Sequence, residues 1–271
     1  MEMILENTGL EVLDLRTDSA FAKRTLHSRD IGLQMAGLQR LSRALLENPE
    51  TILQELVNAA IDLCGADSAG ISVEKADGSD QEFYHWVATA GDYSGFLNAI
   101  LPRSPSACGV CLERGHPQHF TVSQRFFDIL GVEAPLVSDG ILLPWKTEDT
   151  RGTIFVMSHS RTEAFDEGDV RLMTMLSDFA AMGYRQQKQH ARLVAQERAA
   201  AAAHMANTLA HEINNPLQSM TNAAFLIAQG SPDQDPKALG RDLSNDIHRL
   251  SGLVKKLLSL PFQTGQTDTP D

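Results

Sequence analysis

The amino-acid sequence predicts an α+β domain, a mainly antiparallel sheet flanked by helices, followed by a long helix and an antiparallel helical hairpin. Three observations predict it. Two segments of helical period precede two pairs of β-branched runs. The stretch from Tyr184 to Ile227 has no glycine and no proline except Pro216. The last apolar series, Leu243, Ile247, Leu250, Val254 and Leu257, alternates steps of four and three. Strand pairs between helices point to an α+β layer structure, and a heptad series points to a helix packed in a bundle.

Residues 1–30 are weakly patterned and read as a lead-in segment. From Leu33, apolar or small residues at Gly37, Leu41, Ala44 and Leu45 mark a helix that stops at Asn48-Pro49, because proline biases the preceding residue away from helical geometry. A second helix places Ile52, Leu56, Ala59, Ala60 and Leu63 on one side and ends near Cys64-Gly65. The period then changes. Ser68 to Glu74 and Phe83 to Thr89 read as strands around the turn signal Asp77-Gly78-Ser79. Gly140 to Trp145 and Thr153 to Met157 form a second pair, and Pro102 to Ser138 between the pairs reads as irregular. A helix resumes after Phe165-Asp166-Glu167, with Val170, Met173, Leu176 and Phe179 facing inward.

That helix shows no stop for about forty residues, longer than the ~25 of an ordinary globular helix, and it includes five consecutive alanines between Glu197 and His204. Gly230-Ser231-Pro232-Asp233 breaks it before the heptad helix, which runs from about Lys237 to Leu260. The chain therefore divides into the lead-in segment (1–30), the α+β domain (31–185), a coiled-coil linker helix (186–204), a helical hairpin (205–260) and a polar tail (261–271).

Composition excludes several functions. A chain of 271 residues has room for two domains. Its net charge of −12 disfavours nucleic acid and anionic membrane as partners. No run approaches the ~18 apolar residues that span a bilayer, and the N-terminus lacks the basic flank of a secretion signal. Three cysteines make no disulfide framework. A cytoplasmic protein is expected.

The chemistry gathers on the first hairpin helix. Met205, Leu209, Ile213, Leu217, Met220, Ala224 and Ile227 fall on one face at 100° per residue, and His211 projects to the opposite side. Asn215 follows one turn later on the outward side, Glu212 lies at the flank, and Pro216 removes the hydrogen bond to the Glu212 carbonyl, so a bend is expected there. An exposed neutral imidazole is a nucleophile for phosphorus, and an adjacent carboxylate can hold the proton of its other nitrogen.

His211-Glu212-Ile213-Asn214-Asn215-Pro216-Leu217 resembles the H-box of sensor histidine kinases, in their dimerisation and histidine-phosphotransfer domain, with the likeness extending from Arg198 to Leu260. The resemblance implies His211 as phosphorylation site, Glu212 as acid-base residue, and Asn215 as the group orienting a water in dephosphorylation. It also implies pairing with a second copy into a four-helix bundle, with a response-regulator receiver domain as partner. No glycine-rich phosphate loop follows the hairpin, so ATP and magnesium are expected only on a separate kinase ATP-binding domain, and the chain is expected to be either a fragment or a phosphotransfer protein served by such a domain.

The order of elements from Leu33 to Arg185, with Ser104-Pro105-Ser106-Ala107-Cys108-Gly109, the run Gly152 to Ser158, and Phe165-Asp166-Glu167, resembles a GAF domain, a small-ligand sensory module. The resemblance implies a sensor that biases the packing of the following signalling helix and leaves the ligand unknown. Neither Cys108-Gly109 nor Cys111-Leu112 supplies the Cys-His pair of bilin-binding members, and no asparagine-lysine signature of cyclic-nucleotide binders is present. Two alternatives stand beside this. One is a non-catalytic dimeric adaptor or inhibitor of a histidine kinase. The other is a metal or redox sensor built on Cys108 and Cys111, with His116 and His119 nearby. Against it, the spacing is far shorter than in zinc fingers and Pro117 separates the histidines, so the cysteines are expected to be apolar fillers and no metal is expected.

Overall fold

A computed structural model describes residues 7–28, 30–75, 79, 82–229 and 235–258. The chain forms two compact units, Met1–Arg192 and Leu193–Asp271. The expected turn at Asp77 and Gly78, the break at residues 230–233 and the polar tail lie outside the described residues.

The first unit is built on a seven-stranded sheet whose strands are β1 Leu10–Asp14, β2 Ser68–Glu74, β3 Tyr84–Gly91, β4 Ile100–Leu101, β5 Gln118–Val122, β6 Val137–Lys146 and β7 Arg151–Ser158. Their order is β1-β5-β6-β7-β2-β3-β4, and every neighbouring pair is antiparallel. The helices are α1 Ile31–Glu47, α2 Ile52–Cys64, α3 Ala107–Arg114, α4 Gln124–Leu130, α5 Glu167–Gln229 and α6 Pro236–Leu258.

Alternation along the central strands supplies two cores. Ile141, Leu143 and Trp145 of β6 and Ile154 and Val156 of β7 pack with Leu41, Ile52, Leu56, Leu172, Met173 and Leu176 of α1, α2 and α5. Leu142, Phe155 and Met157, one residue out of phase on the same strands, pack with Val110, Cys111, Phe126 and Phe127 of α3 and α4. A period of two on a central strand places successive side chains on opposite faces, so one strand serves both layers.

Several expectations needed correction. The lead-in segment contains β1, whose Leu10 and Val12 point inward while it pairs with β5 at the sheet edge. The section from Pro102 to Ser138 is not irregular: it holds α3, β5 and α4. Serines precede both short helices, with the Ser106 hydroxyl accepting the Gly109 N–H, and Gly115 (φ +72°) and Gly131 (φ +68°) end them in the left-handed conformation. On α1, Leu33 is exposed; Gly37 packs against Leu63, Leu41 is buried, and Leu38 lies partly buried against the core.

In the second unit, α5 continues through Pro216 to Gln229, and α6 follows. Pro216 and Ala223 are buried, with Leu209, Ile213, Met220 and Leu226 half-buried around them. On α6 the half-buried line is Leu239, Leu243, Asp246, Leu250 and Leu253, again at steps of four and three. Met205, Leu217, Ala224 and Ile227, expected on the buried stripe of α5, are exposed, as are Ile247 and Val254 of the expected heptad series on α6, together with Phe225. Among the described residues no helix is long and apolar enough to cross a membrane.

Candidate functional site

His211 and Asn215 are exposed on α5 and Glu212 is half-buried. The covered residues Leu209, Ile213, Pro216 and Met220 lie on the other side of the helix at steps of four and three, so an imidazole faces solvent with an amide one turn on and a carboxylate at its flank. Leu193 to Gln229 is alanine-rich and glycine-free, which keeps this face helical without tertiary support along much of its length.

The first unit has an open-mouthed cavity of about 350 Å³ between the sheet, α3 and α4. Two aromatic rings of its wall, Phe155 and Phe120, each lie over a strand glycine. Gly70 stands directly across from Phe155 and Gly140 across from Phe120. A Cβ on Gly70 would fall 2.4 Å from Phe155 Cζ, and one on Gly140 2.6 Å from Phe120 Cε1. The aromatic rings lie over the bare backbone. Trp86 adds its indole, 4.9 Å from the Phe155 centroid and 6.0 Å from that of Tyr93. Phe96, Phe126 and Phe127 complete the aromatic lining, and among the described residues no Asp, Glu, Lys, Arg or His lines the cavity.

The polar groups of this wall are nearly all engaged. The Tyr93 hydroxyl donates to the Pro135 carbonyl at 2.7 Å, and burial pushes its pKa up. Thr153 Oγ1 donates to Cys108 Sγ at 3.2 Å. Trp86 Nε1 is buried with no hydrogen-bond partner among the described residues. The sequence signals for this cavity were the glycines inside strand runs, which mark close approach, and the Ser–Gly punctuation of α3 and α4.

The structure does not assemble the cysteine-histidine cluster. Cys108 packs with Phe83, Tyr84 and Leu112, whereas Cys111 belongs to the core of α3 and α4. Burial raises the pKa of both thiols. His116 Nδ1 sits 3.2 Å from Asp14 Oδ1, and His119 Nε2 sits 2.6 Å from Asp139 Oδ1. Among the described residues, the group with metal-ligand proximity is instead His27, Asp166 and Asp169, with ligand atoms within 4.8 Å of one another. Its atoms are already spoken for. Asp166 Oδ1 accepts the N–H groups of Gly168 and Asp169, Asp166 Oδ2 accepts that of His27, and Asp169 Oδ2 accepts that of Asp166. This is a helix cap closed by hydrogen bonds.

Comparison with known proteins bears on the first unit. No curated protein matches the chain. Similar solved structures include the GAF domain of a phosphoenolpyruvate-protein phosphotransferase from Coxiella burnetii, at 18% identity and a TM-score of 0.46, covering 59% of this chain and 98% of that one. Free methionine-R-sulfoxide reductase from Neisseria meningitidis has 14% identity and a TM-score of 0.46, covering 62% and 99%. The GAF domain of a putative sensor histidine kinase from Pseudomonas syringae pv. tomato has 17% identity and a TM-score of 0.42, covering 61% and 94%. The GAF domain model matches residues 48–183, half of the chain, and with this sheet and its two helical layers the chain belongs to the GAF-domain family.

Proposed function

We propose that this protein is a cytoplasmic, homodimeric two-component signalling protein in which a GAF sensor controls phosphoryl transfer through His211. One observation carries the reading: the run His211-Glu212-Ile213-Asn214-Asn215-Pro216 lies on a helix with His211 exposed, and that helix, α5, begins inside the GAF core at Leu172, Met173 and Leu176. A change in the cavity wall at Phe155 or Met157 reaches Ile154 and Val156 on the same strand, which pack in the core that holds α5. Packed cores switch between discrete arrangements.

In the transfer, a neutral ring nitrogen of His211 attacks the γ-phosphorus of ATP held by a kinase ATP-binding domain. The bond to the bridging oxygen breaks, and ADP leaves. Glu212 takes the proton from the other ring nitrogen, which stabilises the imidazole as it gains positive charge. The phosphoryl group then passes to the aspartate of a receiver domain: the P–N bond breaks, Glu212 returns its proton to the ring, and neutral His211 is restored. Asn215 orients the water that hydrolyses the receiver phosphate. Exposed Leu217, Phe225, Ile247 and Val254 leave the hairpin an apolar flank for a second copy.

The test is labelling of the purified chain with radioactive ATP and histidine-kinase ATP-binding domains, or with phosphorylated receiver domains, using His211→Ala as control. Acid-labile label on the wild type, absent from a His211→Ala protein that stays dimeric, supports the reading. Absence of label under every condition leaves the hairpin as a non-catalytic dimeric adaptor of a histidine kinase.

A further inference from the structure

The segment between β1 and α1 holds a single 3₁₀ turn, Phe21–Lys23. Asp18 fixes that turn: its Oδ1 accepts the N–H groups of Ala20 and Phe21, each at 3.0 Å. Phe21 is buried in the core that also holds Leu172, Met173 and Leu176 of α5. Arg24 donates to both oxygens of Asp139, at 2.9 and 3.0 Å, and to the Phe165 carbonyl at 2.8 Å, just ahead of α5. Residues 18–24 are thus tied to one another and to the first turn of that helix.

One buried nitrogen beside them is left unsatisfied. His119 of β5 bonds Asp139 Oδ1 through Nε2 at 2.6 Å. A carboxylate only accepts, so Nε2 carries the hydrogen and Nδ1 of the neutral ring is a bare lone pair. That Nδ1 is buried without a hydrogen-bond partner among the described residues, and the nearest carboxylate oxygen, Asp18 Oδ2, stands 3.6 Å away. Two acceptors at that distance make no bond. A proton on Nδ1 turns them into donor and carboxylate, whose bond closes to about 2.7–2.9 Å. No outside group reaches a nitrogen sealed in this way, so the partner that moves is Asp18, and its turn moves with it.

We propose that His119 is a proton-operated latch: on gaining a proton it draws Asp18 onto its ring and seats residues 18–24 against the start of α5, so that the first unit answers to proton concentration. The regulation rests on the reading of α5 as the signalling helix. The charged groups facing the imidazole among the described residues are Asp139 from β6 and Asp18 and Arg24 from the N-terminal segment, with the Phe21 ring 5.6 Å off. Two carboxylates and one guanidinium leave one negative charge, which an imidazolium neutralises. Histidine is also the side chain that changes charge between about pH 5 and 8. His27, the other imidazole of the segment, is engaged with Asp166 and serves as the control.

The test is a titration of the ¹⁵N-labelled full chain by amide-correlation NMR, from about pH 8 to about pH 5.5. The Ala20 and Phe21 amides report the Asp18 carboxylate, and the Gly168 and Asp169 amides report the start of α5. The expected result is one common titration of these four signals with the His119 ring nitrogens. Hydrogen exchange at Ala20 and Phe21, corrected for its intrinsic pH dependence, should slow at least about tenfold at the acid end, the worth of one charge-assisted hydrogen bond. His119→Gln keeps a donor for Asp139, cannot gain a proton, and should abolish the response. Asp18→Asn keeps the capping oxygen without the charge and should remove most of the slowing, even where His119→Gln fails to fold. His27→Asn should leave the response intact.

Ala20 and Phe21 amides that stay still overturn the proposal. So does a response that survives whole in Asp18→Asn or is lost in His27→Asn. Gly168 and Asp169 amides that stay still while Ala20 and Phe21 move overturn the link to α5. None of these readouts passes through His211, so failure of the latch and failure of the phosphotransfer reading are seen separately.

Discussion

His27 Nδ1 lies 2.7 Å from Asp166 Oδ2, and the other oxygen of that carboxylate caps the first turn of α5 by accepting the N–H groups of Gly168 and Asp169. A residue of the N-terminal segment therefore grips the start of the 63-residue helix on which His211 sits. Asp166→Ala removes two capping bonds and the His27 anchor. The expected loss is about 1–2 kcal/mol, seen as a melting temperature lowered by about 3–6 °C. Asp166→Asn keeps an acceptor and should recover part of it. Equal melting of Asp166→Ala and wild type in a thermal scan would show that the cap is idle.

Acid should unfold the sensor through specific carboxylates. Burial alone would raise the Asp139 pKa, but hydrogen bonds from His119 and Arg24 hold it below the usual carboxylate value of 3.8. Asp166 is held low in the same sense, against burial, by bonds from His27, Gly168 and Asp169. With folded pKa values below unfolded ones, the unfolded chain binds more protons between the two, and stability rises with pH there. The contribution is complete above about pH 4 and is lost as pH falls through the folded values. Urea midpoints measured from pH 5 downward should fall, and Asp139→Asn should flatten that slope even though it lowers the midpoint at pH 7.

Gly152 is the tightest point of the β2–β7 pair. A Cβ there would sit 2.0 Å from the Ser72 carbonyl oxygen and 2.5 Å from Trp145 Cζ2. Backbone cannot retreat as a side chain can, so Gly152→Ala should cost at least the ~1–3 kcal/mol of an overpacked core. Soluble yield and melting temperature are the readouts, and a wild-type melting curve would refute the close packing.

The three cysteines should be inert. All are buried thiols, and burial raises the thiol pKa of Cys108 and Cys111, which lowers the reactive thiolate fraction. Ellman's reagent at pH 7.5 should label the native chain slowly and all three thiols at once in guanidinium. Rapid labelling of one thiol in the native protein would revive the redox reading of Cys108 and Cys111.

If the chain pairs with a second copy as proposed, the exposed Leu217 of α5 and Ile247 of α6 are where that pairing should be sensitive. Leu217→Asp and Ile247→Asp should each weaken self-association by about tenfold or more, measured by sedimentation equilibrium, with helix content unchanged. A dimer indifferent to both would place the interface elsewhere.

Much of this protein could be read along the chain, because local periodicity reports a buried face directly. Ser68 to Glu74 appears as β2 with the expected bounds, α5 runs unbroken through its alanine tract, and His211 is exposed on it as its helical phase requires. The cavity was not readable in that way. Trp86, Phe120 and Phe155 are far apart in sequence, and their convergence depends on strand register: Phe155 falls across from Gly70 and Phe120 across from Gly140 only once the sheet is paired. The same holds for His27 and Asp166, which are 139 residues apart. Amphipathic period is a property of neighbours along a helix or strand, whereas pocket walls, buried ion pairs and cap anchors are meetings of distant residues. The sequence by itself determined α1, α2, the central strands, α5 and the exposed histidine; tertiary pairing alone decided the union of β1 with β5, the cavity, and the clasp at the start of α5.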